Sequence, residues 1–204
     1  RVGDELISIN GKHFSELGFP KNAVSELSFR QSPNKSKFAN IEPVFENIQA
    51  QFLAATQKSV RLINRNGKRV GYVHLWCGTH EAFLQEFEKV LLFFKKRQVS
   101  SIVVDLRDGY GGASPDYLRL LMKDSYLKKM TKVFLTNGGV TSGKEWISAI
   151  IKRDHIGKLV GTKTAGAFMA GAKYDLLNDR FVLYLAVKEF SPPDIPRIEG
   201  TGVA

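Results

Sequence analysis

The stretch NGGVTSGKEW, residues 137–146, places a hydroxyl, Ser142, between an apolar run and a segment with helical spacing. A serine in that position commonly accepts hydrogen bonds from the unpaired N–H groups of a helix start. It can also act as a nucleophile, if backbone donors lie close enough to hold a developing oxyanion and a base can take its proton. The segment DLRDGYGG, residues 105–112, brings Gly109, Gly111 and Gly112, and Gly143 directly follows the serine. Glycines lack a Cβ, so their amides can approach a reacting atom closely, although the same residues also make ordinary turns. Four histidines are candidate bases: His13 in a loop, His74 on a strand face, His80 at a helix start and His155 at a helix end. His80 is the best placed of these because it follows a strand end. The histidines and the single cysteine lack metal-ligand spacing, and no G-x-G-x-x-G is present, so neither a metal nor a dinucleotide cofactor is expected.

The elements that must carry these residues follow from periodicity. DELISINGK (4–12) alternates and then turns at Asn10-Gly11, which predicts strand and turn. KNAVSELSF predicts a short helix, residues 30–40 a loop, and residues 41–56 a helix. SVRLINRNGKRVGYVHLW reads as two strands joined at Asn66-Gly67. From residue 79 helices and buried strands alternate, with Thr79 expected as the first N-cap. KYDLLNDRFVLYLAVKEF reads as a hairpin turning at Asn178-Asp179. Alternation of this kind predicts an α/β fold with a mostly parallel sheet, and it puts the loop after residue 105 and Ser142 at the same carboxyl edge. Lys144 and Glu145 are expected to cap the helix or face solvent, and Asp105 with Arg107 to form a structural pair.

The 204 residues are 43% apolar and 25% charged, an ordinary globular composition. The formal charge of +10 (30 basic against 20 acidic residues) is dispersed apart from Lys95-Lys96-Arg97, which suits a helix end, so no nucleic-acid partner is read from it. Cys77 is the only cysteine and sits in an apolar run, which predicts a buried thiol. No membrane span is expected, because no apolar stretch reaches 18 residues. The chain opens in the middle of a strand-and-turn unit and is expected to be a fragment or a processed form.

Several of these segments together carry a family resemblance. IVVDLRDGYGG, FLTNGGVTSGKE, LVGTKTAGA and IEGTGVA resemble, in order, motifs of the C-terminal processing (tail-specific) serine peptidases, and RVGDELISINGK resembles half of a PDZ domain. The resemblance implies a crotonase-like (ClpP-like) core over residues 66–204, preceded by a partial PDZ-like module with a helical insertion over residues 1–65. It makes Ser142 the nucleophile and Gly111, Gly112 and Gly143 the oxyanion donors. The lysine of the Ser/Lys dyad enzymes is replaced by Ala167, with Lys163 and Lys173 four and six positions away. The TAG turn and Glu199 instead resemble the branch that contains tricorn and the chlamydial protease-like activity factor, which uses Ser, His and Glu. That branch carries its histidine ahead of the PDZ domain, upstream of residue 1. The implied function is endopeptidase action on protein or peptide substrates, without a cofactor and with an exported or cell-envelope location. Two alternatives stay open: a catalytically inactive homologue that binds peptide or lipid, and a crotonase-like acyl enzyme, which would require a coenzyme A site.

Overall fold

In the computed structural model, residues 5–13, 24–32, 35–42, 47–176 and 181–204 are described. The chain divides into two compact units, Arg1–Asn47 and Ile48–Ala204.

The first unit is a four-stranded antiparallel sheet in the order β2-β1-β3-β4, built from β1 (Glu5–Ile9), β2 (Lys12–His13), β3 (Ser25–Ser32) and β4 (Lys35–Ile41). β1 turns into β2 at Asn10-Gly11, where both residues take positive φ (50° and 76°), as the expected tight hairpin requires. The Asn10 side chain then accepts the Glu26 N–H at 2.8 Å, fixing β3 beside the turn. The helix expected over residues 21–29 and the loop expected over 30–40 are, in their described parts, the paired strands β3 and β4, with Leu27 opposite Ala39 and Ser28 opposite Phe38. Ser25 and Leu27 are buried while Val24 and Glu26 are exposed, which is a period-two pattern. The VGD motif (2–4) on which the PDZ resemblance partly rests lies outside the described residues.

The second unit contains α1 (Ile48–Ser59), then a five-stranded sheet of β5 (Arg61–Arg65), β6 (Lys68–His74), β7 (Ser101–Asp105), β8 (Thr131–Thr136) and β9 (Lys158–Gly161) in that spatial order. β5 and β6 form the expected antiparallel hairpin across Asn66-Gly67, and β6 through β9 are parallel. The crossovers are α2 (Glu81–Lys96), α3 (Asp116–Leu121) with α4 (Ser125–Lys129), and α5 (Gly143–Arg153). The apolar stripe of α2 buries Phe83, Phe87, Val90, Leu91 and Phe94 against the sheet. Burial of each such side chain contributes roughly 1.5–3 kcal/mol. Gly71 on β6 leaves the space that the Phe94 ring fills, since a Cβ there would lie 2.8 Å from it. The α2 N-cap is His80, whose Nδ1 accepts the Ala82 N–H, rather than the expected Thr79. The Thr79 hydroxyl lies 3.1 Å from the Sγ of Cys77, which is buried as expected.

A smaller apolar cluster of Ala149, Phe168, Ile198 and Val203 fastens the last residues to α5. β10 (Ala170–Asp175) and β11 (Val182–Lys188) form a separate two-stranded antiparallel sheet, and its turn at Asn178-Asp179 lies outside the described residues. Among the described residues no helix is long and apolar enough to cross a membrane.

Candidate active site

Because β7 and β8 run parallel, the loop after β7 and the turn before α5 leave the sheet at one edge. Ser142 is exposed in that turn, at φ 54° and ψ −130°. This backbone region is costly for a residue with a Cβ, and such strain clusters at functional positions. Its N–H donates to the Ala167 carbonyl at 2.9 Å and also faces Glu145 Oε2 at 3.2 Å. The glycine bend lies directly opposite. A Cβ on Gly111 would sit 2.7 Å from the Ser142 Cβ and 3.4 Å from its Oγ. Ser142, Gly111, Gly112 and Gly143 are therefore brought together. Among the described residues, the N–H groups of Gly111 and Gly112 have no backbone acceptor, and Gly143 begins α5, where N–H groups lack intrahelical partners.

Gly143 is indispensable for a steric reason: a Cβ there would fall 2.1 Å from the Ala113 carbonyl oxygen and 2.9 Å from the Gly112 carbonyl carbon. Gly143→Ala is expected to push the bend away from the serine and slow any Ser142-dependent acylation by about a hundredfold, measured as the rate of labelling by a fluorophosphonate. A rate within threefold of the parent would show that the bend tolerates displacement.

The loop itself is held from below. Asp105, buried at the end of β7, receives Arg107 through Nε at 2.9 Å and Nη2 at 2.6 Å, as the expected structural pair, and also the Tyr72 hydroxyl at 2.8 Å. Burial pushes the Asp105 carboxyl up, but the hydrogen bonds from Arg107 and Tyr72 outweigh it and hold the carboxyl below its ordinary value. Asn137 donates to Asp108 Oδ1 at 2.9 Å, joining the two loops.

Lys144 and Glu145 are both fully buried rather than solvent-facing, and Glu145 meets the other expectation by capping α5, its Oε2 accepting the Ser142 N–H. Glu145 Oε1 accepts from Thr164 Oγ1 and the Gly166 N–H, each at 2.7 Å, and Oε2 accepts from the Ala167 N–H at 2.9 Å. Lys144 donates to the carbonyls of Trp76, Leu106 and Asp108. A sequence signal for Lys144 exists: it lies on the same stripe as Ile147, Ser148 and Ile151, all buried, at i+3, i+4 and i+7.

Glu199 sits half-buried beyond the turn that Glu145 anchors. Its Oε2 accepts the Phe168 N–H at 2.5 Å, and among the described residues Oε1 has no partner. The peptide carbonyl one step earlier, that of Ala167, holds the Ser142 N–H, so Glu199 and Ser142 are connected through a single short segment. Ala167 is exposed and offers no base. Lys163 is exposed, and Lys173 lies 3.5 Å from Asp175.

Two of the histidines, His74 and His80, have structural roles. His74 is buried, stacked on Trp76 at 3.8 Å, with Nε2 2.7 Å from the Arg107 carbonyl, and burial lowers its pKa. His80 caps α2 through an accepting Nδ1, so its neutral form carries the proton on Nε2, the wrong tautomer for accepting a serine proton there. His155 follows α5 at φ 50°, exposed, and His13 is exposed on β2. No cluster of metal-ligating side chains occurs among the described residues.

Residues 119–204 match the profile of peptidase family S41. That span carries Ser142, Gly143, Ala167 and Glu199 but not the glycine bend. No curated protein sequence matches this chain. The fold is similar to that of the photosystem II D1 C-terminal processing protease (TM-score 0.57, 15% identity, 99% of this chain and 62% of that one). It is also similar to tricorn protease (0.58, 19%, 97% and 22%), and to mature CPAF complexed with lactacystin (0.56, 11%, 100% and 72%). The chain thus spans less than two thirds of the length of the first two proteins. At these identities the likeness establishes a shared mixed α/β fold with a largely parallel central sheet.

Proposed function

We propose that the chain carries the nucleophile half of a serine endopeptidase of the tail-specific, tricorn-like class. The observation that carries this reading is Ser142, exposed on a strained strand-to-helix turn and so close to Gly111 that a Cβ on the glycine would sit 2.7 Å from the serine Cβ. The S41 match over residues 119–204 supports it. Oγ of Ser142 attacks the peptide carbonyl while its proton passes to a histidine supplied from outside this chain segment. The N–H groups of Gly111, Gly112 and Gly143 hold the tetrahedral oxyanion. Collapse breaks the C–N bond, the amine leaves with the histidine's proton, and water then hydrolyses the acyl-enzyme. Glu199, with Oε1 unengaged, orients that histidine and supports its imidazolium form. The second unit acts as a crotonase-like core, and the first, as part of a PDZ-like module, takes an extended substrate end onto a sheet edge.

Ala167 excludes the lysine of the dyad enzymes at its usual place and favours a second reading, a homologue that retains the scaffold to bind peptide or lipid. The two are separated by treating full-length protein with a fluorophosphonate and mapping the adduct. The peptidase reading expects one modified serine, at residue 142. A folded full-length protein that stays unmodified there would overturn the peptidase reading and favour the binding homologue instead.

A further inference from the structure

Lys144 is wholly buried two residues from Ser142, yet the proposed reaction does not use it. Removing an ammonium from water is expensive unless charge or dipoles compensate. Among the described residues no carboxylate lies within ion-pair distance of Lys144. Its compensation comes from three backbone carbonyls: Asp108 at 2.8 Å, Trp76 at 3.2 Å and Leu106 at 3.3 Å. An ammonium has three N–H donors and no acceptor, so this set saturates it and leaves no lone pair to serve as a base for Ser142.

The three acceptors belong to two stretches of chain, the end of β6 and the loop after β7. Trp76 follows β6, Leu106 follows β7, and Asp108 begins the turn that leads to the glycine bend. At Asp108 and Gly109 the backbone takes φ of 52° and 72°. The Trp76 carbonyl receives the Tyr110 N–H as well, at 2.7 Å. One cation therefore ties the approach to the bend, together with the segment after β6, to the helix that begins beside the serine.

We infer that Lys144 is a positioning residue of this site: its ammonium gathers the Trp76, Leu106 and Asp108 carbonyls and so fixes the bend at Gly111-Gly112 where its amides can meet an oxyanion on Ser142. The inference rests on the peptidase reading. The charge also contributes positive potential behind the position where negative charge develops.

Burial lowers the Lys144 pKa to about 8. The groups facing it are Cys77, Asp105 and Asp108, which act in the opposite direction, and His74, whose charged form would be disfavoured alongside it. On deprotonation the amine keeps two donors and turns a lone pair toward a carbonyl, which loosens the bend. The site should therefore lose competence on the alkaline side of about pH 8.

The test uses full-length protein and a fluorophosphonate, with the inactivation rate constant and the reagent's apparent affinity measured separately across roughly pH 6–10. Expected for the parent is a rate constant that declines above about pH 8. Lys144→Met should lower the rate constant about a hundredfold with affinity changed less than twofold, and the decline near pH 8 should be absent. Lys144→Gln, which restores two donors without charge, should recover part of the rate and still lack the decline. Thermal melting establishes that each variant is folded. If Lys144→Met does not fold, Lys144→Gln and an NMR titration of the parent Lys144 side chain decide, the titration midpoint being expected to coincide with that of the rate. Folded variants that label at the parent rate with the parent pH profile would overturn the inference while leaving the peptidase reading intact. Absence of Ser142 labelling in the parent at any pH would overturn both.

Discussion

Ser142→Gly is expected to abolish Ser142-dependent acylation, by at least about a thousandfold, and at the same time to stabilise the protein by about 1 kcal/mol. The first effect follows from removing the only atom that could attack. The second follows from the backbone. Ser142 holds φ 54° and ψ −130°, a region that costs a Cβ-bearing residue of order 1–3 kcal/mol. Glycine occupies it freely but loses about 0.5–1 kcal/mol in chain entropy, so a gain remains. Ser142→Ala separates the two contributions, since it removes the hydroxyl and keeps the Cβ; it should lose labelling without becoming more stable. Urea unfolding at unchanged slope reads the stability. A glycine variant less stable than the parent would mean that the serine side chain stabilises the turn, and the idea of strain held for chemistry would fail.

Glu145→Ala should cost about 3–5 kcal/mol, read as the shift in the urea midpoint. The Glu145 carboxylate is fully buried and takes four donors, from Ser142, Thr164, Gly166 and Ala167. Alanine leaves these donors without acceptors, and each buried orphan costs roughly 1–3 kcal/mol. Water can reach Ala167, which is exposed, but Thr164 and Gly166 are buried. Glu145→Gln should recover only part of the loss, because its amide nitrogen would face donors. A loss below about 1 kcal/mol in the alanine variant would show that the segment finds other acceptors. The carboxylate joins the serine's own N–H to the segment whose next amide, Phe168, holds Glu199, so labelling should fall together with stability.

Much of the second unit was legible in the sequence for particular physical reasons. Asn66-Gly67 permits the positive φ of a tight hairpin, 49° and 70°, and the buried strands and amphipathic helices alternate in a way that admits little but crossovers over a parallel sheet. That topology alone places the bend after residue 105 beside Ser142. The first unit was less legible. Ser25 and Leu27 alternate with exposed neighbours, but β4 is exposed or half-buried along its whole length, so no apolar face announced it and the polar run read as a loop. Lys144 was misread for a different reason: charged residues in a first helical turn usually cap it or meet water, as Glu145 caps α5, and here backbone carbonyls far off in sequence meet the lysine instead. The stripe through Ile147 and Ile151 marked the buried side of α5. Residue type outweighed position in the reading, and position was the better guide.

The central sheet has one more consequence. Its spatial order, β5-β6-β7-β8-β9, repeats the order along the chain, so every strand pairs with its predecessor. Parallel pairing across long crossovers forms slowly, but such a sheet can grow by accretion from the local β5–β6 hairpin as the polypeptide emerges. The bend, the serine turn and the Glu199 segment then arrive in sequence, each onto a surface already formed.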